Sequence, residues 1–73
     1  MGLAPLTITS REYDVLVRLG MKSNEIANDL GLSMGTINKH YYKLSAKLNA
    51  SSRTEILVKA LKIGLIHTAE LII

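Results

Sequence analysis

Lys39, Lys43 and Lys47 recur at four-residue intervals in the stretch SMGTINKHYYKLSAKL, residues 33–48, which also carries Asn38, His40 and the adjacent tyrosines Tyr41 and Tyr42. These are donors and cations, with no partner nearby that would complete a nucleophile–base or general-base set around His40. The chemistry they suit is recognition of an anion. From Asp29 to Glu55 the chain holds no acid between those two residues, while Lys39, Lys43, Lys47 and Arg53 supply four positive charges. Outside that window five basic residues face six acidic ones, a net of −1, so the basic character is local. A local basic face favours a polyanion partner. The plainer reading is a solvated, solubilising face, but solvated helices commonly interleave Glu with Lys at four-residue spacing, and here the Glu is missing.

The 73 residues, 48% of them hydrophobic and 21% charged, describe one small folded domain. So short a chain is marginally stable as a monomer, and oligomerisation is a common remedy. Cysteine is absent, which excludes disulfides, thiolate metal sites and a thiol nucleophile. His40 and His67 are too few and too far apart for a zinc site. No metal, no cofactor and no enzymatic activity is expected. No apolar run approaches the ~20 residues of a membrane span, a signal peptide's basic-then-apolar order is missing, and Leu6 stands where a myristoylation motif needs Ser or Thr. A cytoplasmic location without a membrane partner is the default.

The elements that must position these residues are helical. Residues 1–8 form a leader with no structural signal. Thr9 and Glu12 have capping-box spacing and open a first helix to about Leu19, with Tyr13, Leu16 and Val17 on its core side and Gly20 as its stop. Ser23 opens a short second helix carrying Ile26, Ala27 and Leu30, closed by Gly31. Ser33 caps a third helix that runs to about Leu48. Ser52 and Glu55 form a second capping box for a fourth helix over about 52–63, with Gly64 after its end. Strand alternation and hairpin dipeptides are absent, so the fold is all-α. At about 100° per residue, Ile37, Tyr41, Leu44 and Leu48 fall in one arc of the third helix and form its core face. Met34 is expected to fill the core at the helix start. Asn38, Lys39, Tyr42 and Lys43 lie opposite, with Thr36, His40 and Lys47 further round. Of the two tyrosines, Tyr41 packs and Tyr42 faces outward, so they are not expected to pair.

Residues 25–37, EIANDLGLSMGTI, have the order of a helix-turn-helix: a short helix with an inward Ala, a Gly for the sharp turn, and a Ser-capped helix with a β-branched core residue. The second helix of this motif lies in the DNA major groove. From Ile8 to Ile66 the chain resembles the LuxR/FixJ-type, or GerE-like, helix-turn-helix domain of bacterial transcription regulators. The family's ordered phrases are matched by ITSREYDVL (8–16), EIANDLGLSMGTINKH (25–40), KLNASSRTE (47–55) and ALKIGLI (60–66). The C-terminal helix-turn-helix region of sigma factors shares only the SMGTI phrase, and His40, the Lys47-Leu48 phrase and the capped fourth helix favour the LuxR/FixJ type. Three departures stand out: the connection before Ser23 is slightly shorter than in the family, Ser23 lacks a Glu three residues on, and Asn38 replaces a frequent Lys.

The resemblance implies a four-helix fold and a sequence-specific, double-stranded DNA-binding transcription regulator, with residues 1–73 as one domain and about 23–48 as its helix-turn-helix core. It assigns base reading to Asn38, Lys39 and Tyr42, in agreement with their place on the polar arc. Ser33, Thr36, His40, Lys43 and Lys47 suit contacts to the DNA backbone. His40 alternatively bonds a neighbouring carbonyl, and Arg53 either touches DNA backbone or fixes the turn beside it. The fourth helix is more apolar than one core stripe needs. The resemblance implies a homodimer through Val58, Leu61 and Lys62, with Ile63 beside them; the other option is a tail folded back over a small core. A function from another class is a protein-interaction module that docks through this helix on a regulator or on RNA polymerase.

Overall fold

The computed structural model describes residues 7–72. Four α-helices, α1 (Ser10–Leu16), α2 (Ser23–Leu30), α3 (Met34–Leu48) and α4 (Arg53–Lys62), precede a single 3-10 turn at Thr68–Glu70. The described residues contain no strand, and the architecture is all-α. Most of the leader expected over residues 1–8 lies outside the described residues.

Each helix start answers the need to satisfy free backbone N–H groups. At α1 the capping box is reciprocal: Thr9 Oγ1 accepts from the Glu12 N–H at 3.1 Å, and Glu12 Oε1 accepts from the Thr9 N–H at 2.9 Å. At α3, Ser33 Oγ accepts from the Thr36 N–H at 3.1 Å. The box expected at α4 has only one arm. Ser52 Oγ accepts from the Glu55 N–H, but the Glu55 carboxylate takes the backbone N–H and hydroxyl of Ser51 instead, at 2.7 and 2.9 Å. Those bonds, the backbone one first, hold the Glu55 carboxyl below its ordinary pKa. Ser23 is not the cap of α2 but its first residue. The extended residue before the helix is Lys22 (φ −70°, ψ 152°), whose N–H donates to Glu25 at 3.1 Å. Glu25 therefore keeps the carboxylate arm of a capping box whose hydroxyl arm a lysine cannot supply.

Three helix ends share one solution. Gly31 (φ 68°), Asn49 (φ 51°) and Gly64 (φ 75°) each turn left-handed, the region that suits Gly and Asn. The following N–H then reaches back across the last turn: Leu32 to Ala27, Ala50 to Ser45 and Leu65 to Ala60, at 2.9, 3.0 and 2.9 Å. This bond pattern is the Schellman motif. Gly20 does not stop α1, which ends earlier, at Leu16. Beyond it the Arg18 and Leu19 N–H groups bond three residues back, to Val15 and Leu16, so the chain tightens into turns and Gly20 keeps a negative φ.

α3 packs against α1, α2 and α4 and is the axis of the core. Leu16, Ile26, Ile37, Leu44 and Ile56 are fully buried, with Leu48 nearly so, and Tyr41 packs on their edge. Each such Leu or Ile contributes about 2 kcal/mol through loss of apolar surface to water. After Gly64 the tail folds back over α1, while Val58 of α4 and Ile63 at its end stay exposed, so the tail does not use up the apolar surface of α4. Ile66 is buried, the Ile72 N–H donates to the Val17 carbonyl at 2.8 Å, and the Tyr13 hydroxyl donates to Glu70. That bond raises the Tyr13 pKa and lowers that of Glu70.

Glu12 is the one buried charged residue of the described chain, 1% exposed. Besides the Thr9 N–H, its Oε1 accepts from Lys47 Nζ at 2.6 Å, across 35 positions of sequence. Burial pushes the Glu12 carboxyl up, but the Lys47 hydrogen bond and the Thr9 N–H together outweigh it, and its pKa lies below the ordinary value. The unfolded chain therefore takes up the proton first as pH falls. Stability from this group is complete above the unfolded carboxylate pKa of about 4.3 and is lost on descending through the lower folded value. Urea denaturation should show a stability plateau above about pH 5 and a falling acid limb below it. Glu12→Gln should cost about 2 kcal/mol at pH 7 and make that limb shallower; an unchanged acid limb would contradict the assignment.

Candidate nucleic-acid interface

The outer face of α3 is built by exclusion. Ile37, Tyr41, Leu44 and Leu48 occupy the inward arc, as periodicity predicts, and the register of the helix then turns Gly35, Asn38, Lys39, Tyr42, Lys43 and Ala46 to solvent. Tyr42 is 68% exposed, and its ring meets that of Tyr41 edge-on, with centroids 5.4 Å apart. The expectation that the two tyrosines do not pair is therefore corrected: one packs and one faces out, yet the half-buried ring supports the exposed one. Met34 is not a core filler. It is 48% exposed and lies outside the core cluster.

Ser33 and Thr36 stand at the start of α3 with their hydroxyls 2.9 Å apart. With the unpaired N–H groups of the first turn they form a donor-rich end. His40 is half-buried, and its Nδ1 is shielded from solvent with no hydrogen-bond partner among the described residues. The carbonyl bond considered for it is not made through that atom.

Two cations grouped with this face by sequence have partners inside the fold. Lys47 reaches over the edge of α3 to the buried carboxylate of Glu12. Arg53, at the start of α4, sends its guanidinium to the carbonyls of Leu19 and Met21, at 3.3 and 2.5 Å, and to the Ser23 hydroxyl. Of its two sequence readings, turn fixing is the one the geometry shows. The shortened connection before α2 is thus clamped by a residue from α4. On its other side Arg18 joins α1 to α2, with Nε 2.7 Å from Asp29 and NH1 2.9 Å from the Asp14 carbonyl. The Arg18 link was not foreseen, since its carboxylate partner lies in the next helix, outside any local pattern.

On α4, Val58 is 50% and Ile63 58% exposed, Lys62 is exposed, and Leu61 is half-buried against the core. A shallow groove of about 360 Å3 runs beside them, lined by Lys47, Leu48, Lys59, Lys62 and Ile63. Among the described residues no cluster of His, Asp or Glu could hold a metal ion, and no helix is long and apolar enough to cross a membrane.

With four helices, a three-residue turn between α2 and α3 and an acid-free outer face in place, comparison with known proteins is informative. The chain belongs to the luxR family of bacterial regulatory proteins, whose family model matches residues 6–60. It is 33% identical over 61 residues to the uncharacterized transcriptional regulatory protein YxjL of Bacillus subtilis (strain 168), covering 81% of this chain and 28% of that protein. To the response regulator UvrY of Escherichia coli (strain K12) it is 31% identical over 67 residues, covering 89% of this chain and 31% of that one. Its fold is similar to that of the Vibrio cholerae VqmA dimer, solved in the absence of target DNA, with a TM-score of 0.79 and 33% identity over 92% of this chain and 33% of that one. The chain therefore spans only 28% to 33% of the length of these three proteins.

Proposed function

We propose that this chain is the DNA-binding part of a transcription regulator and recognises specific double-stranded sequences by laying α3 in the major groove. The observation that carries the reading is the exposed face of α3, where Asn38, Lys39, Tyr42 and Lys43 stand together without a carboxylate among them. Membership of the luxR family of bacterial regulatory proteins supports it, as does the similarity to YxjL, a transcriptional regulatory protein. In this reading residues 23–48 are the helix-turn-helix unit of a single domain.

Asn38 and Lys39 offer directional hydrogen bonds to base edges: the Asn amide accepts from adenine N6 and donates to N7, and Lys donates to guanine O6 and N7. Tyr42 reaches a base or a sugar–phosphate edge. Ser33, Thr36, His40 and Lys43 border this face and serve the phosphates, which fix register without reading sequence. Lys47 and Arg53 act one step back, by holding α3 and the turn before α2 in place. Titration with a selected duplex at several salt concentrations tests the assignment. Lys39→Ala should cost about 1–3 kcal/mol and relax one position of the site, whereas Lys43→Ala should weaken all sequences alike and reduce the salt slope by about 1. Absence of binding and of salt dependence for the unaltered chain would overturn the proposal.

A homodimer through α4 belongs to the same proposal. Exposed Val58 and Ile63, with Leu61 and Lys62 between them, give an apolar patch with a polar rim, and the VqmA neighbour is itself a dimer. Two copies would present α3 to half-sites about one helical turn, roughly 34 Å, apart. Val58→Glu should shift the sedimentation equilibrium to monomer while the single half-site is still bound; an unchanged equilibrium would remove α4 from the interface.

A further inference from the structure

Met34, Asn38 and Tyr42 follow one another at four-residue steps, each about 6 Å further along the helix and about 40° round it. They form a strip on one edge of the exposed face of α3. The strip differs in chemistry from the cationic side that holds Lys39 and Lys43. At its N-terminal end is a large apolar side chain, 48% exposed, that packs in no core; at its far end is an aromatic ring, 68% exposed. Of the exposed large hydrophobics among the described residues, Met34 and Tyr42 are the two on α3.

Resting on the reading of α3 as the groove helix, we infer that Met34 is a specificity-determining residue that packs against a thymine C5-methyl group. The N-terminal half of such a helix faces the base edges, and Met34 is its first residue. A thioether side chain has no charge and no donor for a phosphate. The apolar feature of the major groove is the thymine methyl, and a flexible, polarisable side chain adapts to it at little conformational cost. Ser33 and Thr36, beside it in the first turn, carry paired hydroxyls suited to the adjoining backbone. Asn38, one turn further on, prefers adenine. The strip as a whole therefore favours A·T pairs at the edge of the half-site under the start of α3, next to the position read by Lys39.

The test begins with selection of bound duplexes from random DNA by the full chain. Each thymine of the enriched site is then replaced by deoxyuridine, which removes only the C5-methyl. One replacement, at the end of the half-site under the start of α3, should weaken binding about fourfold, the factor that burial of a single methyl-sized group brings. With Met34→Ala, whose fold is checked by circular dichroism, binding of the unmodified site should fall by a similar factor and that uracil penalty should vanish. Lys39→Ala should leave the penalty intact. An enriched site in which no uracil penalty depends on Met34 overturns the inference and leaves the DNA-binding reading standing. Failure of the unaltered chain to enrich any sequence overturns both.

Discussion

The buried carboxylate of Glu12 ties α1 to α3. It completes the cap of α1 through the Thr9 N–H and holds the Lys47 ammonium on α3 with the same oxygen. A charge removed from water is tolerated only when paired and hydrogen-bonded. The start of α1 and the second half of α3 must therefore sit in one mutual register, or Glu12 is left buried and unpaired. Since α3 also packs against α2 and α4, that register passes to the whole domain.

The second constraint acts on the approach to α2. Left-handed residues at Gly31, Asn49 and Gly64 end three helices abruptly, so the chain reverses in a few residues and the helices can be short. The connection between α1 and α2 has no such residue, and the Arg53 guanidinium satisfies its carbonyls instead. Together Glu12 and Arg53 divide the basic residues by task. Lys47 and Arg53 are held within the fold and position α3 and the turn before α2; Lys39 and Lys43 remain on the solvent face. The local excess of positive charge thus divides between a scaffold and a free cationic face on α3.

Much of this was legible in the sequence because it is local. The core arc of α3, the caps at Thr9, Ser33 and Ser52, and the Gly31 and Gly64 ends follow from spacing and residue type, and the ordered phrases of residues 8–66 identified the family. What was missed depends on contacts between distant positions. The TxxE spacing at residues 9–12 shows a capping box but not that its carboxylate is buried under Lys47. The helical cap at Lys22 is hidden because a lysine is no cap by type; only the retained Glu25 marks it. Met34 fits an apolar periodicity, yet it is exposed, and periodicity within one helix does not show which of its turns the other helices cover. The contact between Tyr41 and Tyr42 crosses the boundary between core and outer face, which a division into faces does not anticipate.

In the proposed reading the acid-free face of α3, and not the apolar side of α4, meets DNA. Backbone amide and side-chain chemical shifts, followed by NMR as an enriched half-site duplex is added, test it most directly. The largest changes are predicted at residues 33–43, with the Arg53 guanidinium signals retained as in the free protein. Changes concentrated at Val58, Lys62 and Ile63, with Asn38, Lys39 and Tyr42 unmoved, would contradict it.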